Sequence, residues 1–279
     1  MVLLLGFTLL ASAELHWVVN RPVVNMYSRP SGDVDVVSQS IFGTNVTVME
    51  QRKGWVRIQT PDAYSGWLPA SQLLALAAPY PASKPALRVE SLFAHLYAEA
   101  DVTRRRPLLT LPFESQLEVT TEPESDGRRW LGVRLPDGRS AWIQRGDVSF
   151  GEPPAARENL ADYSKRFLGL PYTWGGASSF GYDCSGFTQM LGRRLGLRLP
   201  RDSGPQASWE GAVAVEKNDL QPGDFLFFGA SSTNITHTGF YLGGGEFIHA
   251  TTHERPVVQI SRIDDPHWAK LLVTCRRPK

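Results

Sequence analysis

The sequence predicts a multidomain protein in which two small all-β barrels precede an α+β domain. Three observations predict this class: a strand-and-turn pattern occurs twice in the first half, proline-rich segments separate the units, and helical periodicity begins only after the second segment. The 279 residues suffice for two or three domains. The predicted boundaries are 1–13 for a signal peptide, 14–78 and 86–150 for the barrels, and 155–279 for the α+β domain.

The strands of the two predicted barrels follow one another in the same order. In each copy a strand with period-two alternation, a polar turn, a strand containing tryptophan, a second turn and a further tryptophan strand succeed each other. These strands are predicted at 45–50, 55–59 and 67–69 in the first copy, and at 117–120, 129–135 and 141–143 in the second. Each copy resembles a bacterial SH3-like domain.

The remainder of the chain, from 155 to 279, changes from helices to strands. Apolar residues at helical spacing predict helices over 158–168 and 184–197. Strands are then predicted at 223–228, 238–242, 246–249 and 257–260. The glycines at 243–245 favour a hairpin between two of these strands. Helices followed by an antiparallel sheet define an α+β domain.

Charge and cysteine content narrow the functional classes. The 29 Lys and Arg nearly balance the 28 Asp and Glu, so no field of one sign draws the chain to nucleic acid. The two cysteines, Cys184 and Cys275, are too few for a disulfide framework. No CxxC pair occurs, and we expect neither a metal nor another cofactor.

The first residues resemble a targeting signal. An apolar run at 2–10 is followed by Ala-Ser-Ala at 11–13. This is the pattern of a signal-peptide core and its small-residue cleavage site, and the run is too short to span a bilayer. We therefore expect export to the periplasm or the exterior. A cytoplasmic location is expected instead if the segment is an N-terminal strand or an irregular start.

Cys184 is the candidate nucleophile. It stands at the start of a predicted helix, where free N–H groups favour a thiolate and can stabilise an oxyanion. His237 precedes one strand of the predicted hairpin and His249 ends the other, so the two rings can approach. Alone, Cys184 is more often a buried structural cysteine, and a lone strand histidine a surface residue. Together the three favour a nucleophile, a base and a residue that orients the base.

Six ordered motifs resemble the NlpC family of cell-wall cysteine peptidases. They are LPYTWGG at 170–176, YDCSGF at 182–187, LPRDS at 199–203, LQPGDFLFF at 220–228, THTGFYL at 236–242 and FIHA at 247–250. The resemblance implies a papain-like fold in which Cys184 is the nucleophile, His237 the base and His249 the polar orienter. It also implies cleavage of the γ-D-glutamyl bond to a diamino acid, usually meso-diaminopimelate, in murein stem peptides.

Two SH3-like copies before such a domain resemble the subgroup that trims free murein peptides with an unblocked N-terminal L-alanine. The resemblance implies that the first copy closes one end of the cleft, and that a tyrosine and an acidic residue from it bind the substrate ammonium together with an aspartate after the catalytic helix. Tyr64, Asp35 and Asp202 match these positions, although the family often has Glu where Asp35 stands. Further cleft candidates are Tyr172, Trp174, Asp183, Ser185 and Ser203.

Two other functions remain open at this point. The same three residues serve a thiol amidase or acyltransferase acting on another substrate, such as a lipid. The chain is alternatively a binding protein whose SH3-like domains attach to the wall while the catalytic domain is inactive. For the peptidase hypothesis we expect L-Ala-γ-D-Glu-diaminopimelate as the binding partner, no nucleic acid and a monomer.

Overall fold

The computed structural model describes residues 15–82, 86–121, 129–151 and 157–279. The predicted signal peptide at 1–13 lies outside these ranges, and so does the start of the third predicted domain at 155–156. The described residues form two β-rich units and a C-terminal unit that combines helices with a sheet. Among them, no helix has the length and apolar character that crossing a membrane requires.

The first β-rich unit is a seven-stranded sheet in the order β3-β2-β6-β5-β4-β1-β7. Its strands are β1 (His16–Val19), β2 (Val23–Tyr27), β3 (Val36–Ile41), β4 (Asn45–Arg52), β5 (Trp55–Gln59), β6 (Ser65–Pro69) and β7 (Leu73–Leu76). Alternate side chains such as Val24, Met26 and Ile58 form its core. The strand predicted at 45–50 continues to Arg52, and the turn to β5 is confined to Lys53 and Gly54, both with positive φ.

The second β-rich unit is a seven-stranded sheet in the order β10-β9-β13-β12-β11-β8-β14, which repeats the order of the first. Its strands are β8 (Leu87–Val89), β9 (Phe93–Tyr97), β10 (Leu109–Pro112), β11 (Gln116–Val119), β12 (Trp130–Arg134), β13 (Ser140–Gln144) and β14 (Val148–Phe150). Phe42 of the first unit is buried in this second core. The predicted linker contributes as well, because Tyr80 is buried and its hydroxyl donates to the Arg134 carbonyl at 2.8 Å.

The C-terminal unit packs helices on a six-stranded antiparallel sheet in the order β17-β22-β18-β19-β20-β21. Its helices are α1 (Arg157–Ser164), α2 (Cys184–Arg194), α3 (Ser203–Ala207) and α4 (Pro266–Leu271). Its strands are β15 (Ala177–Ser178), β16 (Gly181–Tyr182), β17 (Ala212–Val215), β18 (Phe225–Ser231), β19 (Asn234–Gly243), β20 (Glu246–Thr251), β21 (Val257–Arg262) and β22 (Leu272–Pro278). Helix α2 lies on β19 and β20, with Phe187 and Met190 in the same core as Phe240 and Ile248.

Several predicted boundaries in this unit are wrong. The helix predicted at 158–168 ends as an α-helix at Ser164, and a 3-10 turn follows at Lys165–Phe167. The helix predicted at 184–197 ends at Arg194 because Gly196, with a φ of 75° in the left-handed region, reverses the chain. Helices α3 and α4 and strand β17 were not predicted, since each has six residues or fewer and shows little periodicity.

Both β-rich units are joined to helix α2 or to the segment just after it. Glu90 of the second unit pairs with Arg194 through two bonds of 3.0 and 3.1 Å, and Glu114 pairs with Arg193 at 2.7 Å. In the first unit, Ser38 Oγ accepts a 3.0 Å bond from Arg201 Nε. The helix that begins at Cys184 is therefore held at its C-terminal end by the second β-rich unit.

Candidate active site

Cys184 is the first residue of α2, and Asp183 is its N-cap. The Asp183 carboxylate accepts a 2.7 Å bond from the Gly186 N–H, which satisfies one of the free donors of the first turn. Cys184 is 9% exposed, and the backbone N–H groups of Ser185 and Thr238 lie near enough to its sulfur to lower the pKa of the thiol. The start of the helix thus holds the sulfur at a nearly buried position against strand β19.

Burial dominates the protonation of this thiol. It raises the pKa of Cys184 to about 12, and the Asp183 carboxylate acts in the same direction. The N–H groups of Thr238 and Ser185 and the charge of Arg201 lower the pKa, but by less. The helix-start effect expected from the sequence is present and is outweighed by desolvation. Without substrate, the Cys184 thiol keeps its proton until a base accepts it.

His237, His249 and Ser261 form a hydrogen-bonded row across three neighbouring strands. His237 Nε2 lies 2.7 Å from His249 Nδ1, and His249 Nε2 lies 3.0 Å from Ser261 Oγ. Contrary to the sequence prediction, His237 lies inside β19 rather than before it, because it pairs with Phe228 of β18. His249 likewise lies inside β20 rather than at its end. The approach of the two rings across the hairpin is as predicted.

The environment of His237 favours a neutral imidazole. Its ring stacks on Trp268 of α4 with centroids 4.9 Å apart. Burial, with a smaller contribution from His267, lowers the pKa of His237 to about 3. Burial also holds the pKa of His249 well below its ordinary value. A neutral ring can accept a proton, and Thr238, whose N–H contacts the Cys184 sulfur, directly follows His237 in the chain.

Arg201 is a part of the site that the sequence analysis missed. It is 3% exposed, and its guanidinium donates to both Asp183 carboxylate oxygens at 3.0 and 2.7 Å and to Ser185 Oγ at 3.0 Å. Asp183 and Ser185 were predicted to bind substrate, and both accept hydrogen bonds from this arginine. Their contact with a peptide stays a prediction. Arg201 lies within the LPRDS motif at 199–203, but the motif does not indicate its partners, so its tertiary contacts are needed to identify its role.

Tyr64 and Asp202 meet although they belong to different units. The Tyr64 hydroxyl donates to Asp202 Oδ2 at 3.2 Å. Burial raises the pKa of Tyr64 to about 12, and the Asp202 charge raises it too, so the phenol remains a donor. Asp202 is exposed at the N-cap position of α3, next to the buried Arg201. The structure therefore brings together two of the three residues predicted for the ammonium site, Tyr64 and Asp202.

The remaining predicted residues lie around this region. Burial raises the pKa of the Tyr172 phenol, and Cys184 acts in the same direction. Trp174 is 70% exposed, which excludes a core role for it. The exposed Asp35 immediately precedes Val36, whose side chain is so close to Gly175 that a Cβ there would overlap it. Ser203 is the first residue of α3. Substrate contacts for these residues stay predictions.

The two cysteines are not linked to each other. Both are free, and Cys275 is buried within β22.

His249 and His253 are four residues apart in the sequence, a spacing found in some metal sites. Across the ranges the structure describes, no three His, Cys, Asp or Glu side chains are grouped to hold a metal ion.

Comparison with known proteins shows two family matches and similar proteins over most of the chain. Residues 169–277 match the model of the NlpC/P60 family, and residues 26–73 match the bacterial dipeptidyl-peptidase Sh3 domain. A Bacillus cereus protein named gamma-D-glutamyl-L-lysine dipeptidyl-peptidase is 33% identical over 86% of this chain and 74% of its own length. A Bacillus subtilis protein of the same name is 28% identical over 87% of this chain and 81% of its length.

A solved structure is similar over nearly the whole chain. The crystal structure of an NlpC/P60 family protein from Bacillus cereus superimposes with a TM-score of 0.80 and 27% identity, covering 94% of this chain and 99% of that one. The chain is thus a cysteine peptidase with an SH3-like region before its catalytic domain. It belongs to the NlpC/P60 family.

Proposed function

We propose that this chain hydrolyses the γ-D-glutamyl bond to a diamino acid in murein peptides that carry a free N-terminal L-alanine. The observation that carries the proposal is the hydrogen bond between Tyr64 and Asp202. It fixes a carboxylate and a phenol at one end of the Cys184 region, where they suit a substrate ammonium. The names of the two Bacillus relatives support the γ-D-glutamyl bond as the class of target.

The residues around Cys184 support a short peptide as the substrate. Arg201 connects the two ends of this region, because it bonds Asp183 and Ser185 beside the sulfur and directly precedes Asp202. A carboxylate facing an ammonium forms a charge-assisted hydrogen bond. Tyr64 comes from the first β-rich unit, so that unit closes this end of the cleft against longer, glycan-linked stems. In this arrangement the free amine of L-alanine is the recognition element.

The proposed reaction uses Cys184, His237 and His249 in the roles expected from the sequence. His237 accepts the thiol proton, and the thiolate attacks the γ-glutamyl carbonyl carbon. Backbone N–H groups at the start of α2 stabilise the oxyanion. His237 then protonates the leaving amine, and water hydrolyses the thioester and releases the acyl product. His249 orients the His237 ring, and no cofactor takes part.

The proposal extends to the architecture and location of the chain. The second β-rich unit, which repeats the strand order of the first, is a second SH3-like domain. The C-terminal unit is papain-like, with the cysteine on a helix and both histidines on the sheet. The chain acts as an exported monomer on murein peptides.

The experiment is hydrolysis of L-Ala-γ-D-Glu-meso-diaminopimelate followed by mass spectrometry of the products. We expect L-Ala-γ-D-Glu and free diaminopimelate from the unblocked peptide. An N-acetylated peptide should react about tenfold to a hundredfold more slowly, the factor for losing a hydrogen bond to a charged group. The corresponding L-lysine peptide reports the preferred diamino acid. Equal rates for the free and acetylated peptides would contradict the ammonium site, and no hydrolysis of any of them would exclude the proposed murein-peptide substrate.

A further inference from the structure

We propose that Ser261 is a positioning residue that sets the tautomer of His249 and thereby keeps His237 in its basic form, a role that rests on the proposed peptidase function. Ser261 belongs to none of the sequence motifs. Its hydroxyl oxygen lies 3.0 Å from His249 Nε2, and His249 Nδ1 lies 2.7 Å from His237 Nε2. Ser261 thus ends a row of hydrogen bonds that starts at the candidate base.

The strand register explains why position 261 is the one that reaches His249. His249 of β20 pairs with Gln259 of β21, and Phe247 pairs with Ser261. Since successive strand residues alternate between faces, Phe247, His249, Gln259 and Ser261 share one face of the sheet. Gln259 lies directly opposite His249 but donates its amide to the His253 carbonyl at 2.9 Å. Ser261, diagonal to His249, provides the oxygen that contacts Nε2.

Because His249 is completely buried, the donors and acceptors in this row of hydrogen bonds can be arranged in two ways. His249 is 0% exposed, so its ring nitrogens rely on their protein partners. A neutral imidazole carries one N–H donor and one acceptor nitrogen. If Ser261 donates to Nε2, His249 carries its proton on Nδ1 and donates to His237 Nε2. If Ser261 accepts from Nε2, His249 Nδ1 is the acceptor and His237 Nε2 is the donor.

Only the second arrangement leaves His237 able to accept the proton of the Cys184 thiol. When His237 Nε2 carries the proton, its Nδ1 is unprotonated and can take the proton of the Cys184 thiol. In the first arrangement His237 carries its proton on Nδ1, and the ring cannot accept another without breaking the bond to His249. The requirement persists after proton transfer, because an imidazolium His237 still donates from Nε2. His249 therefore needs its proton on Nε2 at every step, with Ser261 as its acceptor.

Long-range proton–nitrogen NMR on the uniformly ¹⁵N-labelled full chain tests this directly, because it shows which ring nitrogen of each histidine carries a proton. The His249 signals are assigned from their loss in His249→Asn. We expect the wild-type protein to carry the His249 proton on Nε2. This readout needs no substrate, so it stands even if the proposed peptide is not hydrolysed. A wild-type His249 protonated on Nδ1 would overturn the proposal.

Variants at position 261 connect the tautomer to catalysis. Ser261→Ala removes the acceptor, and we expect His249 to populate both neutral tautomers. We also expect kcat to fall about tenfold, the factor for losing one neutral hydrogen bond, and KM to change little. Ser261→Thr keeps a hydroxyl and should restore both readouts. Ser231→Ala is the matched control, since Ser231 is exposed on β18 of the same sheet.

The outcomes separate a positioning role from a structural one. Thermal unfolding shows whether Ser261→Ala is folded at the assay temperature. A folded Ser261→Ala protein with the wild-type tautomer and wild-type kcat would refute the role of Ser261. A lower kcat with an unchanged tautomer would refute the mechanism argued here. A lower kcat together with a mixed tautomer, both restored in Ser261→Thr, would support it.

Discussion

The Tyr64 hydroxyl lies 3.2 Å from Asp202 Oδ2, although 138 positions separate the two residues in the chain. One residue belongs to the first β-rich unit and the other to the segment after the Cys184 helix. Their contact makes the N-terminal unit a part of the candidate site rather than a separate attachment module. The consequences for substrate choice can be measured with single substitutions.

Asp202→Asn removes the charge proposed to bind the substrate ammonium. We expect kcat/KM for the free tripeptide to fall about tenfold to a hundredfold, since this factor corresponds to the free energy lost with one hydrogen bond to a charged group. Hydrolysis of the N-acetylated tripeptide should not change. Tyr64→Phe should show the same selectivity with a smaller effect. Asp264→Asn, at an exposed carboxylate bound to Arg262, is the control. An equal loss for both peptides would point to a structural role for Asp202.

Arg201→Met removes the guanidinium that connects Asp183, Ser185 and Ser38. The Asp183 carboxylate would then remain buried without its cationic partner. Breaking such a pair costs about 3–5 kcal/mol, and we expect the free energy of unfolding in urea to fall by this amount. Arg262→Met breaks an exposed pair with Asp264 and should have little effect. A loss of stability in Arg201→Met no larger than in this control would contradict the role of Arg201.

The partly exposed His237 and the buried His249 make stability depend on pH in a defined direction. Burial lowers the pKa of His237 from 6.5 to about 3 and also lowers that of His249. As the pH falls below 6.5 the unfolded chain binds protons before the folded one. The free energy of unfolding therefore decreases between pH 6.5 and 3, by up to about 1.4 kcal/mol per pH unit for each histidine.

His249→Asn tests this linkage because it keeps a polar side chain that does not titrate. Between pH 6.5 and 5, its free energy of unfolding should decrease less steeply than that of the wild type. Measurements at pH 8 give the effect of the substitution without titration. Parallel pH dependences for the two proteins would show that His249 is not buried in its neutral form.

Gly186→Ala tests the close packing at the start of α2. A Cβ at this position would overlap the Gly176 carbonyl oxygen, which also accepts a bond from the Asp183 N–H at 3.1 Å. We expect a lower melting temperature and at least a tenfold loss of activity as the segment around Cys184 shifts. Gly204→Ala is the matched control in α3, where nothing lies within 4 Å of the added atom. Similar effects of both substitutions would argue against this packing constraint.

The sequence contained enough information to predict the units and the main chemical groups. Period-two alternation predicted the duplicated strand order, because each strand buries one face. Cys184 was correctly placed at a helix start, and Tyr64 and Asp202, matched by resemblance, are in contact. These features depend on local patterns or on motifs that are contiguous in the chain.

Features that arise from tertiary contacts were not predictable in this way. Arg201 and Ser261 lie in no periodic pattern, and their roles follow from partners on other elements. The thiolate expected from the helix start is opposed by burial, which local sequence does not report. Strand β19 begins before His237 because pairing with β18 extends the strand toward its N-terminus. The residues in this extension are mostly polar, so they do not show the alternation of apolar and polar residues that predicts a strand.

The most direct test of the central claim compares Cys184→Ala with Cys275→Ala. The chain has two cysteines, and both are buried and free, so the second substitution controls for the loss of a buried thiol. Each purified variant is incubated with L-Ala-γ-D-Glu-meso-diaminopimelate, and released diaminopimelate is quantified. We predict no detectable hydrolysis by Cys184→Ala and near wild-type hydrolysis by Cys275→Ala. Hydrolysis by a folded Cys184→Ala protein at the wild-type rate would contradict the assignment of Cys184 as the nucleophile.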